Sequence, residues 1–258
     1  MLSKDINFKN FLGKKNKILK KKLLKEFKNE NWLKKYPLLN SLKKEYRYSY
    51  KKKEISNFKK FSSYNLIGMG GSILGAEAIY DFLKHKIKKK FFFFDNLQSR
   101  YIEKTTKKKL NLIISKSGNT LETVCNFNLI LKKQKKNKNV IITESKNNYL
   151  LLLAKKLNAE ILEHKNFIGG RYSVLSEVGM LPAELMGLSE KKFKKYNEII
   201  KKNFFMNSLI ENVCFIYKYV YQGKSNSVIL NYDEKSENFF KWYQQLTAES
   251  LGKKSKGI

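Results

Sequence analysis

Between residues 64 and 162, short apolar runs alternate with stretches of helical periodicity, and this alternation limits the possible folds more than any other feature of the chain. The runs are residues 64–67, 91–94, 110–114, 140–142 and 161–162. Between them, residues 72–85 place Ile73, Leu74, Ala76, Ala78, Ile79, Phe82 and Leu83 at helical spacing. A second helix carries Leu121, Val124, Phe127, Leu129 and Ile130, and a third spans residues 150–157. A polar helix candidate fills the stretch between Asn96 and Leu110. Strands that are apolar throughout are buried on both faces, and strands alternating with helices build a parallel sheet between helical layers. The expected fold class is therefore α/β: a three-layer domain with a parallel sheet between helices. In such sheets ligands bind beyond the carboxyl ends of the strands.

The flanking regions read differently. Residues 1–58 form a polar helical segment, with Phe8, Phe11, Leu12, Ile18, Leu19, Leu23, Leu24 and Phe27 near helical spacing until Pro37 breaks the pattern. The α/β domain is expected over 59–189, closing with a helix around residues 175–186. From 190 to 258 two more helices are predicted (190–206 and 208–222), then a strand at 227–231 (SVILN), then a helix over 236–251 ending at Gly252. One strand is not a sheet, so this last region reads as the start of a second, incomplete α/β unit. It is expected to expose Phe239, Phe240 and Trp242 and to be poorly stable.

Composition excludes several classes. With 2 Pro and 13 Gly in 258 residues and 42% hydrophobic content, the chain is neither collagenous nor predominantly disordered. Two cysteines, Cys125 and Cys214, build no disulfide framework, which favours a reducing compartment. The longest apolar runs, 91–94 and 150–154, are far short of the ~18–20 residues of a membrane span, and the N-terminus has no signal-peptide core. The formal net charge is +32. Nucleic acid is the obvious partner for such a charge. Yet only Arg47, Arg100 and Arg171 among 54 basic residues are arginine, and the lysines are spread along the chain. A specific nucleic-acid site favours arginine forks gathered in one place. A solvated Lys-rich surface is the better reading.

Four segments carry chemistry. Gly68-Met69-Gly70-Gly71-Ser72 lies between a strand and a helix, where glycines let backbone approach a ligand and the helix start offers N–H groups to an anion. An ordinary Gly-rich turn would look the same, and the spacing is not the dinucleotide fingerprint. Ser115-Lys116-Ser117-Gly118-Asn119-Thr120 follows a strand directly and puts three hydroxyls and an amine at the next helix start. That set suits a phosphate monoester, whereas a plain capped helix start would need only one of the hydroxyls. Gly169-Gly170-Arg171 sets a rare arginine beside two glycines, able to hold an oxyanion or to tie down a loop. Finally, Gln245 and Glu249 are four residues apart on one helix face, where Trp242 and Leu246 would partly desolvate the carboxylate. A carboxylate in a cleft serves as a general base; one at an exposed helix end does not.

The segments IGMGGSILGAEAI, ISKSGNTLET, GGRYSVLSEVGMLPAEL and QQLTAESLGK, in this order over residues 66–258, resemble the phosphoglucose isomerase family, most closely its bacterial form. The resemblance implies sugar-isomerase domains, the first complete and the second begun here. It implies reversible conversion of glucose 6-phosphate to fructose 6-phosphate through a cis-enediol, with no metal or organic cofactor, in a cytoplasmic homodimer. Transferred by motif, Ser115, Ser117 and Thr120 hold the phosphate, with Lys116 beside them and Ser72 assisting. Gly71 and Gly170 bring backbone to the sugar, Arg171 stabilises the enediolate, Gln245 touches substrate hydroxyls and Glu249 is the base. No membrane or specific nucleic-acid partner is implied. Two departures stand out. Glu177 occupies a position that is usually small, and the family continues well past ESLGK, into a segment that supplies a His for ring opening and a Lys. Neither His85 nor His164 lies in a matching motif, and both are expected on the surface. A non-catalytic phosphosugar-binding module is therefore the alternative to an isomerase.

Overall fold

The computed structural model describes residues 17–28, 32–97, 107–195, 198–199 and 201–252. The polar helix expected between Asn96 and Leu110, like Phe8, Phe11 and Leu12, falls largely or wholly outside them. Two compact units emerge, one comprising residues 47–190 and 230–246, the other 1–46, 191–229 and 247–258.

The first unit is built on a five-stranded sheet of order β2-β1-β3-β4-β5. Its strands are β1 (Ser63–Gly68), β2 (Lys90–Phe94), β3 (Leu110–Ile114), β4 (Lys138–Thr143) and β5 (Glu160–Glu163). Every pairing is parallel, with Gly68 opposite Ile114 and Ile114 opposite Ile142. All five expected strands are present; the central β1 and β3 are buried at every residue, while the edge strands β2 and β5 are only partly buried. Side chains alternate between two helical layers. On one face Ile67, Ile113 and Ile141 pack with Phe127 and Ile130 of α5 (Leu121–Lys133) and Leu150 and Ala154 of α6 (Tyr149–Lys156). On the other, Tyr64 stacks on Phe91, and Tyr80 of α4 (Leu74–Leu83) leans on Phe91 and Phe93. Helix α7 (Glu177–Leu185) packs on α4, and α3 (Lys52–Phe58) packs on α7. Each fully buried Leu or Ile contributes about 1.5–3 kcal/mol, so this double layer is the main stabilising element of the unit.

One step nearer the amino edge, on the α5 face, the apolar row gives way to amides. Asn65 donates to Asn111 (2.8 Å) and to Gln134 (3.1 Å), and Asn111 donates to Asn139 (2.8 Å). Asn137 donates to both Asn111 (3.0 Å) and Gln134 (2.8 Å). Asn65, Asn111 and Asn139 are register partners across three neighbouring strands.

In the second unit, α1 (Lys17–Lys28) packs on α9 (Asn203–Tyr221), with an ion pair from Lys20 to Glu211 at 2.6 Å. Pro37 opens a 3₁₀ turn (Pro37–Leu42), and the buried Lys194 donates to the Lys43 carbonyl at 3.0 Å. There are also two short helices, α2 (Trp32–Lys35) and α8 (Glu190–Phe193), and α10 (Glu237–Leu251), which begins in the sheet unit and whose last residues belong to the other.

Three expectations are corrected. Residues 227–231 form no strand: the segment has no ladder partner among the described residues, and Val228 and Leu230 are 80% and 73% exposed. β-propensity reflects packing on a neighbour, which is missing here. The helix expected over 190–206 is interrupted: α8 covers Glu190–Phe193, residues 194–195 and 201–202 are not helical, residues 198–199 are helical again, and α9 starts at Asn203. His164 is buried, not on the surface. It continues the in–out alternation of β5, inward like Leu162, and its backbone N–H donates to the Thr143 carbonyl at 2.8 Å. His85 is exposed as expected. In α10, Phe239 is exposed while Phe240 and Trp242 are half-buried against it.

Candidate functional site

Strand order places a switch point between β1 and β3: the chain leaves β1 towards β2 on one side and returns to β3 on the other. A crevice at such a point is where open parallel sheets bind ligands. The glycine-rich and hydroxyl-rich segments lie on its two sides, at the carboxyl ends of β1 and β3.

After β1, Gly70 adopts φ +54° and closes a tight turn, with the Ile73 N–H on the Gly70 carbonyl at 2.9 Å. Gly71 has no room for a side chain, since a Cβ there would overlap the backbone of Gly170 and Arg171. Ser173 fastens the same contact, its hydroxyl donating to the carbonyls of Gly170 (2.5 Å) and Gly71 (3.2 Å). The Gly169–Ser173 segment is thereby held against the β1 loop, with the Arg171 guanidinium 4.9 Å from the Tyr172 ring centre. The Gln245 carboxamide lies against Gly70, where a Cβ would come within 2.5 Å of its nitrogen. Gly71, Ser72, Gly170, Arg171 and Gln245, far apart in sequence, therefore surround one loop.

After β3, the Ser115 and Thr120 hydroxyls are 3.0 Å apart and those of Ser117 and Thr120 3.5 Å apart. Thr120 occupies the N-cap position of α5, yet its side chain makes no cap hydrogen bond. The hydroxyl faces its loop neighbours instead. That excludes the simplest alternative for this segment, a threonine capping its own helix. The turn between them needs Gly118, at φ +66°, where a Cβ would overlap the Asn148 side chain. Asn148 itself caps α6, accepting from the Leu151 N–H at 2.9 Å, and Asn119 accepts from the Tyr149 N–H at 2.9 Å. The hydroxyl loop is thus braced by the start of the next helix. Lys116 runs the other way, its ammonium donating to the Asn166 carbonyl at 2.7 Å and pairing with Glu144 at 3.5 Å.

Glu249 is in the last turn of α10, four residues beyond Gln245, and is exposed. Glu177 is fully buried, and its carboxylate accepts from the Lys165 N–H at 3.3 Å. Sequence reasoning missed Asn148 and Glu144, and gave Ser173, at the end of the Gly169–Ser173 segment, no role. Asn148 was within reach, because an Asn directly before an apolar helical run is a cap signal. The other two act through contacts with distant residues that no local pattern announces. Among the described residues, no group of three or more His, Cys, Asp or Glu side chains converges to hold a metal, and no helix is long and apolar enough to cross a membrane.

Fold and loops together define an open α/β domain whose glycine-rich and hydroxyl-rich loops meet at the carboxyl edge of its sheet. The chain belongs to the phosphoglucose isomerase family, whose model matches residues 46–257. It is 37% identical over 226 residues to the glucose-6-phosphate isomerase of Methanocaldococcus jannaschii, a match covering 78% of this chain and 55% of that protein. It is 32% identical over 202 residues to the glucose-6-phosphate isomerase of Campylobacter jejuni, covering 73% of this chain and 50% of that protein. The fold is shared with a hypothetical protein from Thermus thermophilus, with a TM-score of 0.65 at 22% identity over 93% of this chain and 61% of that one. The chain spans about half the length of the curated relatives it matches.

Proposed function

We propose that this chain carries the sugar-phosphate site of a glucose-6-phosphate isomerase, interconverting glucose 6-phosphate and fructose 6-phosphate through a cis-enediol. The observation that carries the reading is the hydroxyl cluster at the switch point, where Thr120 lies at 3.0 Å from Ser115 and does not cap its own helix. Ser115, Ser117 and Thr120 donate to the phosphate oxygens, and the positive end of α5 favours the dianion. Ser72 adds a donor from the β1 side. The loop backbone at Gly71 and Gly170 receives the sugar, and Gln245 orients its hydroxyls.

In the isomerisation the Glu249 carboxylate removes the C2 proton of the open-chain aldose. The C2–H electrons form the C1–C2 double bond, and negative charge builds on the carbonyl oxygen, where Arg171 stabilises it. A proton then passes from O2 to O1, the O2 electrons form the C2 carbonyl, and the double-bond electrons take the proton back from Glu249 at C1, which gives the ketose. A base on one side of the carbon acid and a fixed cation at the oxygen are what this reaction requires. Names of relatives at 37% and 32% identity support the substrate class. The exposed position of Glu249 favours a second reading, a phosphosugar-binding module without catalysis.

One experiment separates the two readings. Calorimetric titration with glucose 6-phosphate is paired with an isomerase assay on the wild-type chain and on Glu249→Gln. Binding together with turnover that falls by ~10²–10⁴ in the variant supports the isomerase. Binding without turnover supports the module, and absence of binding removes both.

A further inference from the structure

The lysine of the hydroxyl loop points away from the crevice that the loop borders. The crevice lies on the β1 side of β3, whereas the Lys116 ammonium reaches past β4 to the Asn166 carbonyl (2.7 Å), in the turn after β5. Glu144, the first residue after β4, meets it there at 3.5 Å, with side-chain exposures of 31% and 15% for Lys116 and Glu144. The same two residues are joined through the backbone: the Glu144 N–H donates to the Lys116 carbonyl at 3.1 Å. Thr143 Oγ1 adds a weaker bond to that carbonyl at 3.4 Å. Lys116 is thus held from both ends, and its charge is compensated before any anion arrives.

From this geometry we infer that Glu144 is a positioning residue that withholds the Lys116 ammonium from the phosphate cradle. The inference rests on the proposed phosphate site. The cradle then grips the dianion with neutral donors alone, Ser115, Ser117, Thr120 and backbone N–H groups. A lysine on a flexible four-carbon stem is a mobile point charge. If it were free to swing towards the crevice, it would tighten the hold on any phosphate ester, substrate and product alike. Uniform tightening of that kind lowers KM without speeding the chemical step. Restraining the lysine keeps release of the phosphosugar fast.

The test is a double-mutant cycle read by affinity for inorganic phosphate, using the wild type, Glu144→Gln, Lys116→Met and the double variant, with thermal unfolding as the folding control. Glu144→Gln is expected to bind phosphate about threefold or more tightly than the wild type, the scale of a partly exposed ion pair. In the Lys116→Met background the same change is expected to have less than about half that effect on a logarithmic scale. An equal gain in both backgrounds would mean that the carboxylate acts by its own field and would overturn the inference. Unchanged or weaker binding in a folded Glu144→Gln would overturn it too. Should none of the four proteins bind phosphate, the phosphate site itself falls. Should the wild type bind with additive effects, only the role of Glu144 falls. Glu144→Asp, which keeps the charge, is expected to restore wild-type affinity at least in part.

Discussion

At the residue scale the burial of His164 has the clearest consequence. Burial disfavours the charged imidazolium and lowers the pKa of the ring from its ordinary 6.5, and the nearby Lys116 ammonium pushes the same way. The Lys165 carbonyl, 3.2 Å from Nδ1, and the Glu144 carboxylate oppose this without reversing it. In the unfolded chain the ring titrates near 6.5, so above that pH both states are neutral and the folded chain keeps its full stability. Below it the unfolded chain binds a proton that the folded chain refuses. Stability therefore falls as pH drops from 6.5 towards the lowered folded value, with a limiting slope of about 1.4 kcal/mol per pH unit. Urea midpoints measured between pH 7.5 and 5.5 should fall in the wild type and in His85→Gln, and fall less in His164→Gln. Equal slopes in all three would show that the ring is as accessible to protons when folded as when unfolded.

At the element scale, the amide row explains how the three neighbouring strands β1, β3 and β4 find one register. Parallel strands buried on both faces carry little alternation to fix their alignment. A slip of β3 by one residue would turn Asn111 towards α4 and leave Asn65, Asn137 and Asn139 without the partner they have now. Asn111→Ala is expected to destabilise the sheet unit by about 2–3 kcal/mol, since it removes three hydrogen bonds from a fully buried site and leaves amides unsatisfied. The check is the urea midpoint at constant m-value; a loss under about 0.5 kcal/mol would make the row incidental, as for an ordinary surface change. The central strands were legible because they are buried on both faces, so mainly apolar runs such as Leu110–Ile114 mark them directly. The switch-point loops were legible because glycines and hydroxyls cluster just after those runs. The 227–231 strand was misread because its pattern speaks only to local preference, while a strand exists only beside another. The Lys116–Glu144 pair and the Ser173 clasp on Gly71 escaped notice because each joins residues that only the finished sheet brings together.

At the scale of the whole molecule, two opposing electrostatic effects can be weighed. Ion pairs such as Lys20–Glu211 and Lys59–Glu184 stabilise the fold, and salt weakens them. Partly exposed pairs are each worth ~0.2–1 kcal/mol. Against them stands the self-repulsion of a chain with formal net charge +32, in which at most 22 of the 54 basic residues can be matched by an acidic one. Folding brings these lysines together, and repulsion between surface charges is screened over about 10 Å at 0.1 M salt. Because the unmatched charges outnumber the pairs, screening should relieve more repulsion than it removes attraction. Raising sodium chloride from roughly 0.01 M to 0.3 M, a span over which the screening length falls from about 30 Å to well under 10 Å, is expected to raise Tm. Each 1 kcal/mol gained corresponds to about 2–4 °C for a chain of this size. Chloride is the right anion for the measurement, since sulfate and phosphate would also occupy the proposed cradle. A Tm that fell with salt would mean that the ion pairs, not the excess of lysine, set the electrostatic balance. The lysine-rich surface would then have to be read as organised, which would revive a polyanion-binding role for it.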